Sequence, residues 1–72
     1  MRIQVASRDG NPCALYLGSR QLHVLRVIER AAEGSTQRFR VRVVDGRVFL
    51  LSRDLASGDW HLASVQRHAR TP

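Results

Sequence analysis

Three arginines, Arg38, Arg40 and Arg42, stand two residues apart with Phe39, Val41 and Val43 interleaved. Alternate residues of a strand share a face and lie about 6.6 Å apart, so this spacing predicts a straight cationic rail suited to phosphates. A second apolar run, 47–53, follows Asp45-Gly46 and brings Phe49 and Arg53. If Asp45 and Gly46 form a two-residue type I′ turn, which needs positive φ at both central positions, Val44 faces Arg47. Val43 then faces Val48, Val41 faces Leu50 and Phe39 faces Ser52, and that nearly all-apolar side becomes the core. The other side collects Arg38, Arg40, Arg42, Phe49, Leu51 and Arg53. Phe49 there is placed to stack a base, as aromatics do in small barrels that hold single strands. The candidate nucleic-acid-binding residues are therefore Arg38, Arg40, Arg42, Phe49 and Arg53. This register also sets Arg38 directly against Arg53, an unfavourable like-charge pair that a bound anion would relieve. The plainer reading of the rail is an ordinary solvated strand face.

Other chemistry lacks its residues. Zinc needs about four Cys, His or carboxylate ligands at suitable spacing. His23, His61 and His68 are scattered, and Cys13 is the single cysteine. A lone thiol beside Pro12 reads as a small apolar residue rather than a nucleophile. No serine sits in an elbow-like glycine context, and no base is spaced to serve one. Asp9, Asp45, Asp54 and Asp59 all fall in or beside turns, where aspartate is favoured for its own backbone hydrogen bonds. No phosphate loop or dinucleotide fingerprint occurs. We therefore expect a binding module, not an enzyme, with no cofactor and no metal.

The elements that position the rail follow from the turn residues. Asp9-Gly10-Asn11-Pro12, Gly18-Ser19, Glu33-Gly34-Ser35-Thr36, Asp45-Gly46 and Ser57-Gly58-Asp59 punctuate short runs rich in β-branched and aromatic residues. Such regular punctuation predicts a compact all-β domain. On the strand about 59–66, Trp60 and Leu62 join the core beside Val41 and Leu50, leaving His61, Ala63 and Val65 on the arginine side. Segment 20–33 supports two readings. As a helix, Ser19 caps its start and Gly34 follows its end, giving an α+β fold. As a strand, it needs a bulge near Leu25 and Arg26 to bring Val24 and Val27 to one side.

Size and charge bound the rest. Seventy-two residues make one domain, with marginal stability. The boundaries expected are 1–66 for the domain and 67–72 for a basic C-terminal tail. Twelve basic residues, all arginine, stand against six acids, for a net charge of +6. That excess attracts nucleic acid or an acidic partner. One cysteine precludes an internal disulfide and fits a reducing, cytoplasmic compartment. No apolar run reaches the roughly 18 residues of a membrane span, and no signal-peptide pattern follows Met1. The competing function is a protein-interaction or homodimerisation module. An apolar strip of Phe49, Leu51, Ala63 and Val65 edged by arginine would serve it.

The order of these motifs resembles a family of small uncharacterised bacterial domains. The head half carries Asp9-Gly10-x-Pro12, Gly18-x-Arg20, Val24 and Val27. The tail half carries Arg38-Phe39-Arg40-Val41, Asp45-Gly46, Phe49-Leu50, Arg53-Asp54, Ser57-Gly58 and Trp60-x-Leu62. Related domains end the catalytically inactive, Y-family polymerase-like subunit of the bacterial mutasome. Residues 31–36, Ala-Ala-Glu-Gly-Ser-Thr, depart from the pattern. The resemblance implies a small antiparallel, strongly twisted barrel of about five or six strands, SH3-like or OB-like. It also implies that Gly18-Ser19-Arg20 opens a strand rather than a helix. It brings no catalytic residues and points to a DNA-repair or damage-tolerance setting.

Overall fold

The computed structural model describes residues 1–66, so the tail 67–72 lies outside the described residues. Six strands follow in order: β1 (Arg2–Arg8), β2 (Asn11–Leu17), β3 (Arg20–Glu33), β4 (Thr36–Val43), β5 (Val48–Asp54) and β6 (Trp60–Gln66). Each pairs antiparallel with its successor, and β6 closes on β1, giving a barrel with strand order β1-β2-β3-β4-β5-β6. The closing seam is short, with Arg2 opposite His61 and Ile3 opposite Trp60. The Leu62 N–H extends it by donating to the Met1 carbonyl at 2.6 Å. Among the described residues no helix is long and apolar enough to cross a membrane.

Segment 20–33 is a strand, and the helical alternative is overturned. β3 pairs with β2 through Arg20–His23 and with β4 from Val24 onward. Its register against β4 shifts between Val24 and Arg26, and again between Val27 and Glu29. Each shift inserts one extra residue, as β-bulges do. Val24 and Val27 consequently both pack against the core. The extra residues, Leu25 and Ile28, are left exposed at 62% and 36%. Inward positions thus run 22, 24, 27 and 30, and the spacing of three from 24 onward imitates a helix face.

Three connections are two-residue hairpins. Arg8 pairs with Asn11 around Asp9-Gly10, where φ is 53° and 81°. Positive φ at both positions is the I′ requirement, and Asp-Gly meets it with little strain. Leu17 pairs with Arg20 around Gly18-Ser19, and Glu33 with Thr36 around Gly34-Ser35, each with positive φ at the glycine.

The β4–β5 connection differs from expectation, and the difference reverses a whole strand. The loop runs through 44–47, and the pairs beside it are Arg42 with Val48 and Val41 with Phe49. Gly46 has φ of 94°, but Asp45 keeps negative φ. The Asp45 carboxylate instead accepts from the Arg47 backbone N–H at 3.0 Å and from Arg47 Nε at 2.8 Å. The hydrogen bond from the Arg47 side chain, then that from its backbone, holds the Asp45 carboxyl below the ordinary aspartate range. The Gly46 N–H donates to the Val43 carbonyl, and the Val43 N–H to the Arg47 carbonyl. Pairing is therefore one residue out of step with the two-residue turn. A one-residue slip moves every side chain of a strand to the opposite face.

The core follows from that register. Phe39, Val41 and Val43 of β4 meet Phe49 and Leu51 of β5, with Ile3, Leu15, Leu22 and Trp60 completing the cluster. Trp60 and Val41 are core residues as expected, and Leu62 packs half-buried against them. Leu50 is not in the core; it sits half-exposed on the outer face opposite Arg40.

Candidate nucleic-acid interface

β4 carries Arg38, Arg40 and Arg42 on its outer face because Phe39, Val41 and Val43 between them are nearly fully buried. The expected rail therefore exists. Its neighbours are set by the two flanking strands. On β3, Arg26 lies opposite Arg42, Glu29 opposite Arg40 and Ala31 opposite Arg38. On β5, the same three arginines face Val48, Leu50 and Ser52. β6 adds Ser64 beside Leu50 and His61 beside Ser52.

Glu29 and Glu33 of β3 engage Arg40 and Arg38. Glu29 lies 3.4 Å from Arg40 Nε, and Glu33 lies 3.3 Å from an Arg38 terminal nitrogen. All four side chains are well exposed, so these pairs are weak and exchange readily with solvent ions. Arg26, Arg38, Arg40 and Arg42 share one sheet face with these glutamates. Two shallow grooves flank Arg38 and Leu50. One, of about 220 Å³, runs between β3 and β4 past Glu29, Ala31 and Arg40. The other, of about 260 Å³, crosses β4 to β6 past Thr36, Ser52 and Ala63.

Two expected members of the face are elsewhere. Phe49 is 0% exposed inside the barrel, with the Arg47 guanidinium carbon 5.2 Å from its ring centre. It has no surface to offer a base. Arg53 pairs with Gln37 and Trp60, on the core-facing side of β5, and its guanidinium carbon lies 5.3 Å from the Trp60 ring centre. Arg38 faces Ser52, so the like-charge opposition of Arg38 and Arg53 does not arise. The apolar strip proposed for homodimerisation dissolves for the same reason, since Phe49 and Leu51 are both fully buried. Val65, opposite Phe49, is still 42% exposed near the end of β6.

Sequence reasoning missed Arg26, Glu29, Glu33 and Leu50 as members of this face. The signal for Arg26 was present in the bulge: once Val24 and Val27 both point inward, Arg26 between them points out. The two glutamates come from β3, whose opposition to β4 cannot be read from the 38–53 hairpin. Cys13 is exposed on β2. Compared with protein-family models, curated proteins and solved structures, the chain has no match in any of the three.

Proposed function

We propose that this chain is a non-enzymatic binding module that contacts nucleic-acid phosphates through the outer face of β3 and β4. The observation that carries the reading is the alternation of Arg38, Arg40 and Arg42 on one side of β4, with Arg26 beside Arg42. Such a surface follows a charged backbone without reading sequence, because arginine forks meet phosphate oxygens whichever bases follow. Glu29 and Glu33 act as internal competitors, holding two of the arginines until phosphate replaces the carboxylate. Leu50 gives the centre of the face an apolar patch against which sugar or base can lie.

Anisotropy of a labelled oligonucleotide across a salt series tests this. With four contacts on duplex DNA, log affinity falls against log salt with a slope near −3.6, from about −0.9 per phosphate. A single strand gives a shallower slope. The Arg40→Glu/Arg42→Glu double variant should abolish binding and stay folded, since both side chains leave the core untouched. Glu29→Gln with Glu33→Gln should tighten binding. Binding that survives the arginine changes, or ignores salt, replaces this reading with a protein-partner module.

A further inference from the structure

A second group of arginines lies at the end of the barrel where the 34–35 and 55–59 connections meet, the Leu55 N–H donating to the Ser35 carbonyl at 2.8 Å. Arg30 occupies a core-facing position opposite Phe39. Arg53 occupies another, between Gln37 and Trp60. The Arg30 guanidinium carbon is 6.0 Å from the Phe39 ring centre, and that of Arg53 is 5.3 Å from the Trp60 ring centre. The two rings lie 5.3 Å apart, tilted by 41°. Two cations therefore converge on one aromatic pair at the barrel mouth.

An aromatic face attracts a cation without neutralising it, and it leaves the N–H edges of the guanidinium directed elsewhere. Among the described residues, carboxylates pair with Arg2, Arg38, Arg40 and Arg47, but none reaches ion-pair distance of Arg30 or Arg53. Arg53 Nε is buried and meets no acceptor. A buried donor in that condition carries its full desolvation cost until an acceptor meets it. Planar, permanently charged forks of this kind match the tetrahedral oxyanion of phosphate.

We propose that this mouth binds a phosphate or pyrophosphate group between Arg30 and Arg53, with the Phe39–Trp60 pair as its floor. The site is separate from the outer face of β4 and does not depend on the function proposed for it. The phosphate is either a free anion or the terminal phosphate of an oligonucleotide; the chemistry at the two guanidiniums is the same.

Trp60 is the single tryptophan, so its emission reports the contact with Arg53 directly. The full chain is titrated with sodium pyrophosphate at constant ionic strength, with sodium chloride as balance and as control. The expected result is a saturable change in Trp60 emission at millimolar pyrophosphate or below, which chloride does not produce. Affinity should weaken at least about tenfold in Arg30→Gln and in Arg53→Gln, as for loss of a charge-assisted hydrogen bond. Arg30 is exposed, so Arg30→Gln stays informative even where Arg53→Gln fails to fold. The Arg40→Glu/Arg42→Glu variant should keep the response, which separates this site from the outer face. A 5′-phosphorylated oligonucleotide that competes better than its 5′-hydroxyl counterpart identifies the terminal phosphate as the source; competition by neither identifies the free anion, and equal competition by both would overturn the proposal in favour of internal phosphates. No saturable change, an undiminished response in Arg30→Gln, or a response lost with Arg40 and Arg42 would overturn the proposal.

Discussion

Arg38 and Arg40 lie on the outside of the barrel beside glutamates, whereas Arg30 and Arg53 lie at its mouth on aromatic rings. One residue type serves two surfaces, and the partner decides how. A glutamate on a solvated face neutralises an arginine but holds it loosely, so the pair opens at little cost. An aromatic ring holds the guanidinium over the core and leaves its charge uncompensated. The outer pairs are thus exchangeable, while at the mouth Arg53, half-buried with its Nε enclosed, is built into the packing and Arg30 stays exposed. That contrast depends on which side of β4 and β5 faces inward, so the most severe test is of the sidedness itself.

The largest expected effects come from reversing inside and outside. Phe49→Ala should destabilise the fold by about 3–5 kcal/mol, as for other buried aromatics. Trp60→Ala should fall in the same range. Together with the Phe39 contact, Trp60 packs against the short β1–β6 seam through Ile3. Leu50→Ala, half-exposed on the outer face, should cost much less. Urea unfolding of the three variants measures this. A Leu50→Ala loss exceeding that of Phe49→Ala would restore the two-residue turn at Asp45-Gly46 and move Phe49 to the surface.

The next effect compares the two kinds of arginine directly. Arg53→Gln removes a half-buried cation from the Trp60 face and should cost about 0.5–2 kcal/mol. Arg40→Gln removes one partner of an exposed ion pair and should cost about 0–1 kcal/mol. Only the first should shift Trp60 emission. Equal losses, or an unmoved emission maximum in Arg53→Gln, would mean that the ring contact contributes nothing beyond the outer pairs.

How far this arrangement could be read from the residues depends on the range of the interaction that sets each part. The all-β class and the turns at Asp9-Gly10 and Gly18-Ser19 follow from backbone preferences within four residues, and they were legible; closure into a barrel, which pairs Ile3 with Trp60, was implied by the family resemblance alone. The alternation of Arg38, Arg40 and Arg42 around Phe39 and Val41 was legible too, because one strand's parity needs no partner. The register of β5 was not. Asp9-Gly10 and Asp45-Gly46 are the same dipeptide, yet only the first adopts positive φ at both residues. In the second, the Asp45 carboxylate accepts from the Arg47 N–H and side chain instead. The longer loop goes with a register that buries Phe49 and Leu51 and leaves Leu50 outward, and that burial outweighs the local turn preference. Segment 20–33 was ambiguous for a different reason. Two bulges space its inward residues by three, so Val24, Val27 and Arg30 mimic a helix while forming a strand. The glutamates of the outer face were invisible because strand-to-strand opposition between β3 and β4 depends on those same bulges.

Arg47 belongs to both classes at once, and it gives the smallest and most specific test. Its guanidinium pairs with Asp45 at 2.8 Å while its carbon lies 5.2 Å from the Phe49 ring centre. The hydrogen bonds from Arg47 favour ionised Asp45 in the folded chain, lowering its pKa relative to the unfolded chain. A depressed carboxyl contributes stability above its unfolded pKa, about 3.9 for aspartate. That contribution is lost as pH falls through the lower, folded value. Asp45→Asn should therefore be slightly less stable than the parent at neutral pH, and the gap should close in acid below the aspartate range. High salt should narrow the gap at neutral pH as well, because the pair lies at the surface. The Phe49 contact survives the substitution, so emission and core packing should not change. Denaturant unfolding of both proteins across that pH range reads the gap directly. A gap of the same size in acid and at neutral pH would show that Asp45 acts through loop geometry alone.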